Sequence, residues 1–282
     1  MSEYNEDEFI IGTFVWSFSR LNSFDSACKY EWYRHYIECE EMKGNFYGAG
    51  GGFCHKILEM YAKGELDMWD LPMYFEDHFA EEVPYDAPYN KYKDLRQDYY
   101  EKIYDYFANI DLVFDHYEIL GVEKKIEFNV DKYPFIGFID LLLRDKSDGK
   151  IILCDHKSAT IKKLKNGSIS KSDQQHFLEF KRQQYLYSKA VKEEYGEDSV
   201  KELRWNMFKD HDWITIPYNE DEYNEAIEWA LNTIHEIENE TMWEPNINKF
   251  YCKNLCGLEY CEYRDNNESN KSNESDESSE TY

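Results

Sequence analysis

Three short apolar segments between residues 126 and 157 constrain most strongly what this chain can fold into. In the first, 126–130, apolar and polar residues alternate as they do in a half-buried strand. Segments 135–143 and 151–157 follow as two further strands, and turn-forming residues separate each from the one before it. Because short turns join antiparallel neighbours, we expect these strands to lie side by side in one sheet.

Helices are predicted on both sides of these strands. Five of them cover 19–42, 72–82, 94–110, 174–194 and 220–240, and a sixth is opened by the glycines of 48–52. A hairpin of strands 203–208 and 213–216 lies between the last two helices. The order β-β-β-α-β-β with flanking helices predicts an α+β or mixed α/β fold. No Gly-Lys-Ser/Thr sequence follows the glycines, which argues against a nucleotide-triphosphate site.

Composition excludes several classes of protein. With 42% hydrophobic and 17% aromatic residues, the chain can build a sizeable core, so wholesale disorder is excluded. No apolar run approaches the length of about 18 residues that a transmembrane helix needs. The acidic N-terminus lacks the basic start and apolar stretch of a signal peptide. We therefore expect a cytoplasmic protein with no membrane partner.

The formal net charge of −26 has the wrong sign for a protein that coats nucleic acid by releasing counterions. Any role on nucleic acid must therefore work through a local basic channel or through metal ions. The lysine-rich segment 162–171 is the best local basic patch. Its alternative interpretation is a solvated, flexible loop.

The second and third predicted strands each carry an aspartate. Asp140 ends the sequence Gly-Phe-Ile-Asp, and Asp155 follows an apolar run, two residues before Lys157. Side chains alternate along a strand, so Asp155 and Lys157 point to the same face, and antiparallel pairing can bring Asp140 beside them. Two such carboxylates repel each other unless a cation lies between them, and Mg²⁺ and Mn²⁺ prefer carboxylate oxygens. With the lysine as compact positive charge, such a group can hydrolyse a phosphodiester, whereas the alternative is three ordinary solvated residues.

This pattern of Gly-x-x-Asp and Asp-x-Lys on successive strands resembles the PD-(D/E)XK nuclease superfamily. It is most similar to the RecB-like branch, which includes the CRISPR-associated iron–sulfur exonucleases and the AddB-type nuclease domains. Further matches are Gly52-Phe-Cys-His55 ahead of the sheet and Gln183-x-x-x-Tyr187 after the lysine strand. The resemblance covers roughly residues 17–264. It implies a restriction-endonuclease-like core sheet flanked by helices and a DNA nuclease that depends on Mg²⁺ or Mn²⁺.

The resemblance also implies a metal site and a catalytic lysine. His55, Asp140 and Asp155 are the expected metal ligands, joined by the backbone carbonyl of His156. Lys157 is the expected catalytic lysine. Taken alone, the histidine could equally be a packed or helix-terminal residue.

Three further residues are linked to this site by the resemblance or by position. Gln183 and Tyr187 lie four residues apart and share a helix face, which in the family borders the active site and the nucleic-acid backbone. Their alternative is a semi-exposed helix face without function. Glu123 is either an auxiliary acid or a solvated strand residue, and the second interpretation is favoured.

Cysteine usage points to a second site. In a reducing compartment the seven cysteines are better metal or cluster ligands than disulfide partners. Four match, in order, the one N-terminal and three C-terminal cysteines of the iron–sulfur members: Cys28, Cys252, Cys256 and Cys261. The resemblance implies a 4Fe–4S cluster that joins the two ends of the domain, although the spacing within the triplet differs from the commonest one. Structural zinc or plain buried thiols are the alternatives. No chemistry is assigned to Cys39, Cys54 and Cys154.

The sequence thus predicts an acidic segment 1–16, a nuclease domain 17–264 with its cluster, and a disordered acidic tail 265–282. The predicted protein is a metal-dependent DNA exonuclease that prefers single strands or free ends. It would act in recombination, repair or replication, and a phage or mobile-element origin would place it in the host cytoplasm. Because no helicase motif occurs, a helicase or recombination partner would be a separate chain. The alternative is a catalytically silent nuclease fold that serves as a scaffold or DNA-binding subunit.

Overall fold

The computed structural model of the chain describes residues 10–264, so the first nine residues and the predicted tail 265–282 lie outside it. Its strands are β1 (Tyr117–Val130), β2 (Tyr133–Asp145), β3 (Ile151–His156), β4 (Val200–Met207) and β5 (Asp212–Pro217). Its helices are α1 (Phe18–Asn22), α2 (Lys29–Tyr36), α3 (Phe46–Ala62), α4 (Leu71–Glu82), α5 (Leu95–Ala108), α6 (Gln174–Tyr195), α7 (Glu220–Asn239) and α8 (Lys249–Asn254). None of these helices combines the length and apolar character needed to cross a bilayer.

The five strands form one mixed sheet in which spatial order follows chain order. The pairs β1–β2, β2–β3 and β4–β5 are antiparallel, whereas β3 and β4 are parallel. A parallel pair needs a long crossover connection, and α6 lies in the segment that provides it. The predicted α+β class and the order β-β-β-α-β-β are therefore confirmed.

Strand β3 lies in the middle of the sheet, and all six of its residues are buried. Such burial on both faces explains why its sequence is an almost continuous apolar run rather than an alternating one. Leu141 of β2 pairs with Cys154 of β3, so the next residue pair in this register is Asp140 and Asp155. Helices α3, α4 and α5 share a hydrophobic core with β2 and β3, to which the strands contribute Leu141, Leu143, Ile152 and Cys154.

Two predicted helix boundaries were wrong. The predicted helix 19–42 is broken, because a π-helical turn follows α1 and Cys28 then adopts an extended conformation with φ −132° and ψ 116°. The glycines of 48–52 lie in the first two turns of α3, which begins two residues before them at Phe46. A Cβ atom at Gly50 would stand 2.9 Å from the Tyr99 ring, so the close approach of α5 accounts for a glycine at this position.

The first strand is much longer than predicted. It begins at Tyr117 rather than near residue 126, and its first half contains a β-bulge between Ile119 and Gly121. The bulge interrupts the alternation of side chains that a sequence pattern depends on. The other strands and the helices after β3 begin and end close to the predicted residues.

The described chain divides into two compact units. One consists of 15–18 and 46–232 and holds the whole sheet, and the other consists of 10–14, 19–45 and 233–264. In this second unit, which we call the terminal unit, segments from both ends of the chain meet. The rings of Trp32 and Trp243 stack with centroids 5.3 Å apart. The carboxylate of Glu31 accepts hydrogen bonds from the Tyr251 hydroxyl and the Gly257 amide, each at 2.6 Å.

Candidate functional site

The candidate site lies where α3 meets the first two strands of the sheet. His55 comes from α3, Glu123 from β1 and Asp140 from β2. The His55 Nδ1 atom is 3.5 Å from Asp140 Oδ2 and 3.9 Å from Glu123 Oε1. Ligand atoms of these three residues all lie within 4.8 Å of one another, and within residues 10–264 no other set of three His, Cys, Asp or Glu residues does so. The three therefore offer one nitrogen and two carboxylates to a cation.

Glu123 reaches this position through an unusual backbone conformation. Its φ of 47° lies in the left-handed region, which costs a residue other than glycine about 1–3 kcal/mol and is concentrated at functional sites. Because Val122 pairs with Leu141, Glu123 lies opposite Asp140 across the β1–β2 ladder. The two strands thus bring the two carboxylates to the same point.

Asp155 and Lys157 form a second part of the site at the end of β3. The Lys157 Nζ atom donates hydrogen bonds to Asp155 Oδ1 at 3.0 Å and to Gln183 Oε1 at 2.9 Å, and it lies 5.2 Å from the centre of the Phe180 ring. Asp155 Oδ2 is also 2.8 Å from the ammonium nitrogen, yet this buried oxygen accepts no well-aligned hydrogen bond. It therefore retains lone pairs that a cation could use.

The backbone of His156 connects the two parts. Its amide donates to Asp140 Oδ2 at 2.6 Å, and its carbonyl accepts from His55 Nε2 at 2.8 Å. Its imidazole is buried, and the Asn206 amide nitrogen, which donates to the Tyr106 hydroxyl, is 3.0 Å from its Nδ1. Burial lowers the pKa of His156 to about 3, so this ring is neutral and can accept at Nδ1.

Burial dominates the electrostatics of the two aspartates, because it raises their pKa values against the opposing effect of Lys157. Burial raises the pKa of Asp155 to about 6, and Asp140 adds to the rise while Lys157 opposes it. Burial also raises the pKa of Asp140. For His55, burial lowers the pKa, but Glu123 and the two aspartates outweigh it and the net shift is upward. A site with this excess of carboxylate charge would be relieved by a divalent cation, and its nitrogen and oxygen donors suit Mn²⁺ or Mg²⁺.

The predicted helix residues lie at this site, on one face of α6. Gln183 hydrogen-bonds Lys157 through its carbonyl oxygen and also interacts with the Tyr187 hydroxyl. Tyr187 is buried, and burial together with the charge of Asp155 raises its pKa. A Cβ atom at Gly137 would stand 2.6 Å from the Tyr187 ring, so the glycine of the Gly-x-x-Asp sequence makes room for this tyrosine.

The four predicted cluster cysteines lie together in the terminal unit: Cys28, Cys252, Cys256 and Cys261. The pKa of Cys252 is raised by burial and by the nearby thiols of Cys28 and Cys261. Burial, with smaller contributions from Glu31 and then Cys261, raises the pKa of Cys256 to about 12. Within the described residues, no three of these sulfur atoms lie within 4.8 Å of one another.

The remaining features predicted from the sequence are the lysine-rich segment and the unassigned cysteines. Segment 162–171 is mostly exposed, and Lys163 is held by an ion pair with Asp212 at 2.5 Å. Cys54 and Cys154 are buried in the core, where burial raises the pKa of each to about 12. Such thiols stay protonated and unreactive, in keeping with the absence of any chemistry assigned to them.

Two residues of the site were misjudged or missed from the sequence. Glu123 was favoured as a solvated strand residue, but it stands in the group of three with 30% of its side chain exposed. The bulge hid the register that places it opposite Asp140. Asn206 could not be found from its neighbours in sequence. It reaches the His156 ring only because β4 pairs with β3.

Comparison with known proteins defines the class. The sequence model of the PD-(D/E)XK nuclease superfamily matches residues 15–266, so the chain belongs to this superfamily, whose members generally use divalent metals. A crystal structure of a protein from Eubacterium rectale, described as a candidate exonuclease, matches with a TM-score of 0.50 and 14% identity. The match covers 94% of this chain and 91% of that one, and at this identity the likeness concerns the fold alone. No curated protein matches the chain.

Proposed function

We propose that the protein is a DNA nuclease that depends on Mn²⁺ or Mg²⁺ and removes nucleotides from single-stranded ends. The observation that carries this proposal is the convergence of His55, Glu123 and Asp140 next to the pair of Asp155 and Lys157. Three ligands from three different elements are much harder to explain as solvated residues than any one of them alone. Membership of the superfamily supports hydrolysis of a phosphodiester as the reaction.

Each residue then has a defined task. His55, Glu123 and Asp140 would hold the cation, and Asp155 Oδ2, which lies 2.8 Å from the Lys157 ammonium nitrogen, would complete the set. A divalent cation in this position polarises a phosphoryl oxygen and lowers the pKa of a water molecule.

Lys157 would contact the substrate, and its neighbours would hold it in position. Lys157 would donate hydrogen bonds from Nζ to a phosphate oxygen and so stabilise the charge that develops there. Gln183 and Asp155 hold this ammonium group in place at 2.9 Å and 3.0 Å. Tyr187 positions Gln183 rather than contacting the substrate.

A second candidate is a silent nuclease fold that serves as a scaffold. The acidic composition favours it, since a chain with a net charge of −26 suits protein partners better than free DNA. The complete set of ligands and the lysine argue against it, because a fold without turnover has no need to keep buried, mutually repelling acids.

We further infer that the chain belongs to the RecB-like branch and carries a 4Fe–4S cluster on Cys28, Cys252, Cys256 and Cys261. Their convergence in the terminal unit supports a shared ligand. Structural zinc on the same cysteines is the alternative occupant. We propose that the enzyme is encoded by a phage and acts on DNA ends during recombination, repair or replication. A separate helicase would open those ends.

The test of the proposed activity is cleavage of labelled DNA by the purified protein with Mn²⁺, Mg²⁺ or a chelator. We expect cleavage of linear single strands with metal, none with chelator, and a loss of at least about 100-fold for Lys157→Met, the scale of a lost electrostatic catalyst. The matched control is Lys150→Met, because Lys150 precedes β3 and lies about 20 Å from Lys157 along the strand. Wild-type protein without any metal-dependent cleavage would support the scaffold instead, and cleavage of circular single strands would contradict an exonuclease.

A further inference from the structure

The loop between α4 and α5 exposes an unusual set of aromatic side chains. We call residues 84–94 the tyrosine loop. Tyr89 is 86% exposed and Tyr92 is 89% exposed, while Tyr85 at the start of the loop is 40% exposed. A tyrosine ring gains little from full contact with water, so two such rings on one short loop suggest a partner with flat apolar faces.

The ends of this loop are firmly held. The Arg96 guanidinium donates hydrogen bonds to the carbonyls of Val83 and Tyr85, both at 2.9 Å, and lies 5.0 Å from the centre of the Phe79 ring. Asp94 caps α5 by accepting hydrogen bonds from the first amides of the helix. The middle of the loop is thus presented from a fixed base.

Both lysines of the loop stand next to Tyr92. The Lys91 ammonium lies 5.6 Å from the centre of the Tyr92 ring, while Lys93 forms an ion pair with Asp98. Residues 86–96 line an open groove of about 650 Å³. Asp86 and Asp94 balance the two lysines, so the loop is neutral in a chain whose net charge is −26.

The tyrosine loop is linked to the candidate site through packed residues of the same unit. Tyr99, about 6 Å along α5 from its first residue, lies against Gly50 of α3. The next residue, Gly51, lies against Ser158, where a Cβ atom would be 3.3 Å from the hydroxyl oxygen. Ser158 directly follows Lys157 in the chain. A series of packed residues thus connects α5, which follows the loop, with the residue after Lys157.

We propose that the tyrosine loop binds single-stranded DNA on the same compact unit as the nuclease site, with bases stacked on Tyr89 and Tyr92 and a phosphate next to Lys91. This inference rests on the proposed function for the choice of DNA. Stacking on aromatic rings tolerates any base sequence, and it requires unpaired bases, since those of a duplex are already stacked. The loop thereby gives the enzyme a physical reason to prefer single strands despite its acidic surface.

The experiment measures binding of a fluorescent oligothymidylate to full-length Lys157→Met protein by anisotropy, with cleavage by the otherwise wild-type chain measured in parallel. We expect Tyr89→Ser with Tyr92→Ser to weaken binding about tenfold or more, whereas Tyr89→Phe with Tyr92→Phe retains affinity because the rings remain. Lys91→Ala should reduce the salt dependence of binding by about one phosphate contact. Trp69→Ser is the matched control, because Trp69 is 84% exposed at the far end of α4, about 18 Å away.

Two results would overturn the inference. Unchanged affinity of the double serine variant for single-stranded DNA would assign the loop to another kind of partner, such as a protein. An equal loss of affinity for double-stranded DNA would contradict stacking. In either case, continued metal-dependent cleavage by the wild-type chain would leave the proposed function intact, while its absence would remove that function independently of the loop.

Discussion

At the scale of single residues, Glu123 is the position where structure adds most to sequence. Ligand atoms of Glu123, His55 and Asp140 lie within 4.8 Å of one another, and the backbone of Glu123 occupies the left-handed region at φ 47°. A solvated strand residue has no reason to adopt that conformation, whereas a ligand that must reach its neighbours does. The strain is therefore best explained by the site.

The first prediction concerns this carboxylate. Glu123→Gln should raise the Mn²⁺ concentration needed for half-maximal cleavage by about tenfold or more, because one anionic ligand is replaced by a neutral amide. The matched control is Glu127→Gln on the same strand, where the glutamate is exposed and pairs with Lys125 at 2.5 Å. Titration of metal against cleavage rate is the measurement. An unchanged metal requirement for Glu123→Gln would show that Glu123 is a solvated strand residue and not a metal ligand.

At the scale of elements, two glycines in predicted motifs have opposite roles. Gly137 of β2 leaves space for the Tyr187 ring of α6, where a Cβ atom would be only 2.6 Å from the ring. Gly52 lies inside α3, and a Cβ atom there would meet nothing within 4 Å. The first glycine is required by packing, while the second lowers helix stability without a contact that explains it.

The second prediction compares these two positions. Gly137→Ala should destabilise the protein by about 1–3 kcal/mol through overpacking, and it should reduce cleavage because Tyr187 and Gln183 are displaced together. Gly52→Ala should instead stabilise the protein by about 0.5–1 kcal/mol, since alanine restricts the unfolded chain and favours helix. Urea denaturation of both variants measures the free energy of unfolding. Equal stability of Gly137→Ala and wild type would show that α6 does not pack on β2 as described.

Elements with regular local patterns were predictable from the sequence, and the exceptions have physical causes. The β2 and β3 strands, the hairpin β4–β5 and helix α6 follow from apolar periodicity and turn residues. The first half of β1 could not be predicted, because its bulge breaks the alternation of apolar and polar side chains. The break at Cys28 and the ligand position of Glu123 depend on contacts between distant segments, which no local pattern encodes.

At the scale of the whole molecule, the terminal unit brings together residues from both ends of the described chain. Lys29 pairs with Glu240 at 2.6 Å, and the Lys43 amide donates to the Gly257 carbonyl at 2.7 Å. The four clustered cysteines belong to the same unit. A cluster bound by all four would add covalent links between segments that hydrogen bonds and the stacked tryptophans already connect.

The third prediction tests that cluster. Protein purified without oxygen should be brown, with absorbance near roughly 400 nm and bound iron and sulfide. Cys28→Ser should lose the colour and lower the melting temperature, because one of the four ligands is gone. Cys39→Ser should keep both, since Cys39 is exposed and outside the cluster. A colourless protein that contains zinc would support the zinc alternative and contradict the iron–sulfur cluster.

The proposed nuclease activity depends on a cation bound at one point of the sheet. Crystals grown with Mn²⁺ allow that point to be located by anomalous scattering. We predict a peak in contact with His55, Glu123 and Asp140, with Asp155 beside it. A well-diffracting crystal that showed manganese elsewhere, or none at saturating concentration, would contradict the metal site and with it the proposed nuclease.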